Sequence, residues 1–240
     1  MDSASMLRRS KSRHSGLFLS GLMQFWTNNN MNFFGKNVLF LGAHPDDIEL
    51  GCGALIHHIV RQTNVLCVTL SDNQKNPDLQ NVKNEHFEAM AVLGVTQEKV
   101  LLGPFTTRIF HDSRQDILEY FLKLRREFQP DLIFVHSKHD VHQDHLTMTE
   151  EALRAFRGIT LLGFDVVRSS YDFFPHFIVE VTEGDVNKKI EALAKYETYR
   201  DRYYFNSELT RSIMVRHGAL AEHPFAEGFD ILRIVGKFGD

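Results

Sequence analysis

Short apolar runs alternate with segments of helical hydrophobic spacing along much of the chain. Buried strands are predicted at residues 37–43, which form a continuous apolar run, and at 65–70 and 132–135, and a further short strand is predicted at 99–102. Apolar residues three and four positions apart predict helices at residues 51–61, 80–93, 115–128 and 145–156. Strands that alternate with helices at this spacing indicate a parallel sheet with helices on both of its faces.

The pattern is less regular beyond residue 160. There it predicts a strand at 177–181, an amphipathic helix at 185–199 and a strand at 231–235 that closes the sheet. The sequence contains no internal repeat, low-complexity tract or linker. We therefore predict a single α/β domain over residues 31–240, with a Rossmann-like, mostly parallel sheet.

The first 30 residues differ from the rest of the chain. A basic start precedes a short apolar patch at 17–26, as in a signal or transit peptide, but the patch is interrupted and no small-residue cleavage site follows. The simpler interpretation is a disordered extension, or an upstream start codon with Met31 as the functional start. We therefore expect residues 1–30 to lie outside the folded domain.

Composition narrows the classes of function. A formal net charge of −4 without a basic stripe gives no support for nucleic-acid binding. No run approaches the roughly 18 apolar residues that a membrane span needs. Cys52 and Cys67 are the only cysteines, so neither a disulfide framework nor a structural CxxC zinc site can form. This cysteine usage fits a reducing compartment, and we expect a cytoplasmic protein.

The first segment with evident chemistry, His44-Pro45-Asp46-Asp47, directly follows the first predicted strand. Ligands of open α/β sheets bind beyond the carboxyl ends of the strands, so this segment is expected on the ligand-binding rim. Imidazole and carboxylate are common zinc ligands, and three protein ligands leave one position for water. A surface turn accounts for Pro45 and one aspartate, but not for a second segment of similar composition on the same rim.

That second segment, residues 136–145, contains four histidines and two aspartates and follows the fourth predicted strand. His142 and His145 are three residues apart at a predicted helix start, so they can face one site in different roles. A single histidine is more often structural than a ligand, but a cluster on the same edge as His44 indicates a metal site. Asp144 can hydrogen-bond a histidine and hold its orientation, as carboxylates behind metal ligands do.

The motifs Ala-His-Pro-Asp-Asp at 43–47 and His-Gln-Asp-His at 142–145 resemble those of the PIG-L/LmbE-like zinc-dependent de-N-acetylase family, in its bacterial branch. Similarity at Glu85, at Pro130-Asp131 and at 226–229 extends the resemblance over nearly the whole chain from residue 37 onwards. The family implies a Rossmann-like fold and a hydrolase that removes N-acetyl groups from glucosamine-containing or related small molecules.

The resemblance also implies roles for individual residues. His44, Asp47 and His145 match the zinc ligands of the family. Asp46 matches the general base, and His142 matches a protonated residue opposite that base. Zinc lowers the pKa of bound water to about 7, and a charged imidazole stabilises a tetrahedral oxyanion. Fe(II) is compatible with the same donor set of two histidines and one carboxylate.

Two positions depart from common patterns of the family. Ile48 follows the paired aspartates where many relatives carry Glu, although Glu49 comes next. The eukaryotic glycolipid enzymes usually carry Asn at the position of Asp144 and have a membrane anchor. This chain has neither feature, which disfavours a glycosylphosphatidylinositol substrate.

Some arginines and aromatics bear on the substrate. Arg108 and Arg114 flank a short loop after the third predicted strand and resemble arginines of a bacterial subgroup of the family. A guanidinium fork suits carboxylate or phosphate, so an anionic amino sugar or a nucleotide-linked sugar is compatible with them; ordinary surface arginines are an equal alternative. Residues 196–205 and 211–217 contain aromatics and arginines that can wall a sugar pocket.

The leading hypothesis is therefore a zinc-dependent deacetylase whose partner is a small N-acetylated amino-sugar derivative. One alternative is an amidase that acts on a sugar–thiol conjugate. Another is a non-catalytic relative that binds a metal or a nucleotide, although no GxGxxG or P-loop fingerprint is present. The sequence selects neither the substrate nor the oligomeric state, and a homo-oligomer stays open.

Overall fold

The computed structural model describes residues 35–236, and the extension predicted at 1–30 lies outside this range. The strands of the described chain are β1 (Asn37–Gly42), β2 (Asn64–Thr69), β3 (Val100–Leu102), β4 (Leu132–His136), β5 (Thr160–Phe164), β6 (Phe177–Glu180) and β7 (Ala226–Arg233). Its α-helices are α1 (Asp47–Ile59), α2 (Val82–Val92), α3 (Arg114–Phe128), α4 (Gln143–Ala155), α5 (Glu183–Leu193) and α6 (Ser207–Ala219). None of these helices is long and apolar enough to cross a membrane.

The strands form one sheet in the order β3-β2-β1-β4-β5-β7-β6. The first five strands in this order pair in parallel, whereas β7 pairs antiparallel with both β5 and β6. The predicted α/β class with a mostly parallel sheet is confirmed. The strand predicted at 231–235 begins instead at Ala226 and lies between two other strands, so it does not close the sheet as predicted.

Successive residues of β1 enter two separate cores, because side chains of a strand alternate between its faces. Val38 and Phe40 pack in the core that also contains residues of α1, α2 and α5. Leu39 and Leu41 pack in the core that contains residues of α3 and α4. All four side chains are fully buried. This two-sided burial explains the continuous apolar run and confirms that helices cover both faces.

The C-terminal third contains two elements that the hydrophobic pattern did not predict, β5 and α6. Helix α6 has few buried residues, namely Thr210, Met214, His217 and Gly218, so its apolar periodicity is weak. The helix predicted at 185–199 ends at Leu193, and Glu197–Tyr199 form a separate 3-10 turn. The rings of Tyr196 and Tyr199 in this segment are buried in the core and stack on each other.

The strand order creates a topological switch point between β1 and β4. The chain runs from β1 to β2 and β3 on one side, and then returns to β4 on the other side of β1. Loops diverge at such a point and leave a crevice beyond the carboxyl ends of the strands. The segments that follow β1 and β4 carry the two acidic and histidine-rich motifs, so the topology brings both motifs to one crevice.

Candidate metal centre

His44 lies in the turn between β1 and α1 and is buried. Its Nε2–H donates a hydrogen bond of 2.9 Å to Oδ2 of Asp144. The same carboxylate accepts backbone N–H bonds from Arg108 at 2.5 Å and from Phe110 at 3.2 Å, which fix its position. Because Nε2 of His44 donates to a carboxylate, the lone pair of Nδ1 is left for another partner.

His145 lies in the first turn of α4 and has a matching arrangement. Its Nδ1–H donates to Oδ2 of Asp140 at 2.8 Å, and Asp140 also accepts a bond of 2.9 Å from the Ser169 hydroxyl. Nε2 of His145 then lies 3.3 Å from Nδ1 of His44. Each imidazole is therefore oriented by its own carboxylate, an arrangement that fixes the tautomer of metal-binding histidines.

Oδ2 of Asp47 completes a triangle of donor atoms. It lies 3.4 Å from Nε2 of His145 and 3.5 Å from Nδ1 of His44. The backbone N–H of His44 donates to the same oxygen at 2.8 Å. A tetrahedral ion with bonds of roughly 2.0–2.1 Å needs donor atoms about 3.3 Å apart. The three edges of this donor triangle match that spacing, so the residues fit a tetrahedral divalent ion.

Opposite charges stabilise the donor triangle in the metal-free chain. Burial acts to raise the pKa of Asp47, but the charge of His145 and its hydrogen bond to the carboxylate hold that pKa well below its usual range. Burial acts to lower the pKa of His145, but Asp47 and Asp140 outweigh it and raise the pKa to about 10. At neutral pH an imidazolium therefore faces the Asp47 carboxylate, and an incoming metal ion takes the place of its proton.

We expect metal affinity to rise with pH. A histidine binds a metal only in its neutral form, and His145 is protonated below a pKa of about 10 in the metal-free protein. Binding must then release at least one proton at neutral pH. The association constant for Zn²⁺ should rise at least about tenfold per pH unit between about pH 6 and 8. The slope should be steeper in the lower part of this range, because the pKa of His44 is also raised: burial acts to lower it, but hydrogen bonds with Asp144 and Asp47 outweigh burial. Competition with a chelating dye over this range measures the slope.

Proton release provides an independent check of this slope. Calorimetry in two buffers with different ionisation enthalpies counts the protons that leave the protein on metal binding. The His139→Ala variant is a matched control, because His139 belongs to the same segment but lies outside the donor triangle, and it should keep the slope. A pH-independent association constant without proton release would contradict the role of His145.

Two further histidines of the second motif, His136 and His142, bring a nitrogen within 4.8 Å of donors in the triangle. Nε2 of His136 accepts the backbone N–H of Ala43 at 3.1 Å. The ring of His136 stacks on that of His145, with 3.8 Å between their centroids. Burial, together with the charge of His145, lowers the pKa of His136 to about 4. His136 thus packs as a neutral support behind His145.

Asp46 precedes α1 in an uncommon backbone conformation, with φ of 104° and ψ of −30°. Residues other than glycine avoid positive φ, and such strain is concentrated at functional sites. The Asp46 side chain lines a cavity together with residues of the donor triangle. Burial and the negative charges of Asp47 and Glu49 raise the pKa of Asp46 well above its usual range. Arg202 and Arg168 oppose this shift. Asp46 is therefore a carboxylate with increased affinity for a proton.

His142 caps the N-terminus of α4, where its Nδ1 accepts the backbone N–H of Asp144 at 3.2 Å. Burial and the charges of His145 and His44 lower the pKa of His142 to about 4. The imidazole is therefore neutral near pH 7, and its hydrogen is on Nε2. This state differs from the protonated form that the resemblance implies. The neutral ring still has one N–H to donate, and it lines the same cavity as Asp46.

The cavity at the donor triangle has a volume of about 670 Å³. This volume lies within the range of pockets that enclose small-molecule ligands. Its lining comes from the segments that follow the five parallel strands and from the segment between α5 and α6. The carboxyl ends of parallel strands meet at one edge of a sheet, so residues distant in sequence share this cavity.

The two arginines predicted to contact substrate are placed differently. Arg108 lines the cavity. Arg114 begins α3, where its guanidinium pairs with Glu150 at 2.7 Å and with Glu151 at 2.6 Å. Both carboxylates belong to α4, so Arg114 joins two helices and is not among the residues that line the cavity. The structure thus does not bring Arg114 to the cavity, because its guanidinium pairs with two glutamates of the fold.

Three residues of the site had no assigned role in the sequence analysis. Asp140 belongs to the histidine-rich motif, but only the turn that it occupies shows that it orients His145. Arg168 follows β5, a strand that the hydrophobic pattern did not predict, so no sequence signal placed it on the rim. Arg202 lies in the segment 196–205, which was predicted to wall a sugar pocket, and it lines the cavity.

Comparison with known proteins agrees with this site. The family model described as PIG-L: GlcNAc-PI de-N-acetylase matches residues 39–156, which contain both motifs. The chain is also 30% identical over 172 residues to an Escherichia coli (strain K12) protein, the uncharacterized deacetylase YaiS. That alignment covers 68% of this chain and 91% of the E. coli protein.

Solved structures share the fold. The N,N'-diacetylchitobiose deacetylase from Pyrococcus horikoshii matches with a TM-score of 0.69 and 20% identity, covering 94% of this chain and 95% of that chain. The 4-carboxy-2-hydroxymuconate hydratase GalB from Pseudomonas putida KT2440 matches with a TM-score of 0.66 and 18% identity, covering 85% of this chain and 100% of that chain. Identities this low show a common fold alone, and the names of these two proteins describe different reactions.

Proposed function

The chain belongs to the PIG-L (GlcNAc-PI de-N-acetylase) family, and we propose that it is a zinc-dependent hydrolase that releases acetate from an N-acetylated amino-sugar derivative. Family membership supports deacetylation as the class of reaction. The single observation that carries the proposal is the donor triangle of His44, Asp47 and His145, with the carboxylate of Asp46 in the same cavity.

In this proposal His44, Asp47 and His145 hold the ion. Two imidazole nitrogens and one carboxylate oxygen are a usual donor set for zinc, and Fe(II) accepts the same set. When bound, the ion supplies Lewis acidity, which polarises an amide carbonyl and lowers the pKa of a water molecule to about 7. Asp140 and Asp144 keep the two imidazoles in the tautomers that ligation needs.

Asp46 is the general base of the proposed reaction. Asp46 and Asp47 both line the cavity, but Asp47 contributes its Oδ2 to the donor triangle and Asp46 does not belong to that triangle. Its raised pKa suits a group that takes a proton from the attacking water and then delivers it to the leaving nitrogen. A buried carboxylate with an ordinary pKa would hold that proton too weakly.

His142 stabilises the oxyanion in this proposal. As the water adds to the amide carbonyl, negative charge develops on the carbonyl oxygen, and a fixed N–H donor stabilises it. The Nδ1 of His142 is held by the backbone of α4, which directs the donor role to Nε2–H. A neutral imidazole is sufficient for this role, because it donates without changing its protonation state.

The cavity supports an amino sugar as the substrate class. Its lining mixes carboxylates, hydroxyls and arginines with the aromatic ring of Tyr199, as expected for a carbohydrate ligand. One protein of the same fold is, by its name, a deacetylase of N,N'-diacetylchitobiose, which supports the same class here. We also propose that Arg108, whose main chain is held by Asp144, contacts the substrate.

Metal analysis combined with acetate release tests this function. We expect about one divalent ion per chain, and acetate release from at least one member of a panel of N-acetylglucosamine derivatives. Chelation should abolish the activity and Zn²⁺ should restore it. Stoichiometric metal without acetate release from any acetylated sugar would contradict the proposed substrate class. Full activity in rigorously metal-free protein would contradict the metal dependence.

The same experiment separates the two alternative functions. An amidase that acts on a sugar–thiol conjugate would leave simple N-acetyl sugars intact and cleave the amide of the conjugate. A non-catalytic relative would bind metal and turn over neither substrate. The positions of Asp46 and His142 favour an enzyme, since metal binding by itself does not need a base or a hydrogen-bond donor in the cavity.

A further inference from the structure

Two arginines of the cavity, Arg168 and Arg202, have no part in the proposed reaction. Arg168 follows β5, and Arg202 lies between α5 and α6, yet both side chains line the same cavity as Asp46. Arg168 and Arg202 are 34 residues apart in the sequence and are brought together by the fold. The two arginines therefore need an assigned role, either in binding a ligand or in stabilising the fold.

The hydroxyl of Tyr204 holds the two guanidinium groups close to each other. Nη1 of Arg168 donates to this oxygen at 3.1 Å, and Nη1 of Arg202 donates to the same oxygen at 2.7 Å. Two positive charges at this separation repel each other. A neutral hydroxyl does not cancel that repulsion, so an anion bound to both groups would stabilise the pair.

Aromatic rings fix the direction of both arginines. Cζ of Arg202 lies 3.8 Å from the centroid of the Tyr199 ring, and Cζ of Arg168 lies 5.2 Å from that of Tyr204. Stacking on a ring restrains the plane of a guanidinium and leaves its N–H edge to bind a planar or tetrahedral anion. The two groups are thus held in advance of binding, which lowers the entropic cost of ligand recognition.

Neither guanidinium has a carboxylate within 4.0 Å among residues 35–236. Other arginines of the fold differ in this respect: Arg114 pairs with Glu151, Arg200 with Glu197 and Arg211 with Glu183. Arg125 and Arg233 also lack a carboxylate partner, but their guanidinium groups donate to backbone carbonyls of neighbouring elements. Arg168 and Arg202 can therefore donate N–H bonds to a bound anion, and neither has a carboxylate partner among residues 35–236.

We propose that Arg168 and Arg202 form a subsite for an anionic substituent of the substrate, a phosphate or a carboxylate carried by the amino sugar. This inference rests on the proposed function, since it places the acetamido group of that sugar at the donor triangle. Guanidinium forks bind phosphate and carboxylate through paired N–H bonds. They also offset the repulsion between such an anion and the carboxylates of Asp46 and Asp47.

A charge-balancing role toward Asp46 is the alternative, because both arginines act on its carboxylate electrostatically. The two roles predict different dependences on the ligand. If the pair is a subsite, its removal weakens the binding of sugars that carry an anionic group and leaves the binding of other sugars unaffected. A charge-balancing pair changes turnover of every substrate, with a shift in the pH profile of kcat.

Calorimetry on the zinc-loaded full chain tests the subsite with three ligands that cannot be deacetylated: glucosamine, glucosamine 6-phosphate and muramic acid. We expect the parent to bind an anionic sugar about 10- to 100-fold more tightly than glucosamine. The double variant Arg168→Gln/Arg202→Gln should lose this preference. The Arg200→Gln variant, altered two residues away on the surface, should keep it. The phosphate and carboxylate ligands distinguish the two anionic groups.

Equal affinity of the parent for glucosamine and for the two ligands that carry an additional phosphate or carboxylate would overturn the subsite. A preference that survives in the double variant, as it would if the anion bound the metal alone, would also overturn it. Glucosamine should bind the double variant within about twofold of its affinity for the parent, and a loss of turnover for every substrate without a change in the anion preference would assign the pair to Asp46 instead. Thermal unfolding and metal content verify that the double variant is folded. If it is not folded, the two single variants provide the same test, and each should lose part of the preference for anionic ligands.

Failure of the proposed function has a different signature. If no acetylated sugar releases acetate but the anion preference is present in the parent and lost in the double variant, the hydrolase proposal fails and the subsite stands. If acetate is released without any anion preference, the subsite fails and the hydrolase proposal stands.

Discussion

Replacement of Asp46 by Asn is expected to lower kcat for deacetylation by about 10²- to 10⁴-fold, the usual contribution of a general base. Asparagine has nearly the same shape as aspartate but cannot take a proton from water. Metal content should stay at that of the parent, because Asp46 lies outside the donor triangle of His44, Asp47 and His145. Steady-state kinetics and metal analysis on the same preparation measure both quantities.

A cavity carboxylate without a catalytic role is the matched control for this variant. Asp72 lines the same cavity, so Asp72→Asn removes one negative charge from it without removing the base. Its kcat should stay within a few-fold of the parent. Parent-like kcat in Asp46→Asn would refute the assignment of the base, and loss of metal from that variant would place Asp46 among the ligands.

Replacement of His145 by Ala is expected to weaken Zn²⁺ binding by at least about 100-fold, since even residues behind a ligand contribute 10- to 100-fold to affinity. The variant removes the Nε2 donor, which lies 3.4 Å from Asp47 and 3.3 Å from His44. The two remaining donors hold the ion less tightly than three do. Competition with a chelator of known affinity measures the loss, and activity should fall with metal occupancy.

Two further variants distinguish the loss of a metal ligand from misfolding of the variant. His139→Ala removes a more exposed histidine of the same motif, whose nearest carboxylate is 3.8 Å away on Asp230, and it should bind metal as the parent does. Asp47→Asn keeps the volume of a ligand but removes its charge, and it should lose affinity although the packing is preserved. Parent-like affinity in both His145→Ala and Asp47→Asn would refute the donor triangle.

The fold by itself does not decide the reaction. A deacetylase and a hydratase share it with this chain at 20% and 18% identity, so the chemistry must be argued from the residues of the site. Here the decisive features are the orientation of two imidazoles by Asp140 and Asp144, and a second carboxylate that is separate from the donor triangle. The family relationship points to the same reaction class.

Much of the architecture follows from local sequence. The continuous apolar run of β1 predicts a strand buried on both faces, and the alternation of strands with amphipathic helices predicts the parallel sheet. Both are confirmed. Because motifs that follow parallel strands meet at one edge, the sequence also predicts that residues 43–47 and 136–145 share a rim, and the structure brings His44 within 3.3 Å of His145.

The C-terminal third was less predictable. Helix α6 has weak apolar periodicity because few of its side chains are buried, and β5 is a short strand whose burial depends on its neighbours in the sheet. The last strand, β7, enters the sheet between two other strands in the antiparallel direction. Strand order and direction depend on contacts between distant residues, and local periodicity does not report them.

The sequence by itself determined the fold class, the two motifs on one rim and the donor types of a divalent metal site. Only the tertiary structure decided which carboxylate orients which histidine, and that Arg114 pairs with helix α4 while Arg168 and Arg202 meet in the cavity. The reason is physical. Residue types and their periodicity act over a few positions, whereas hydrogen bonds and charge pairs between residues a hundred positions apart exist only after the sheet has fixed their distance.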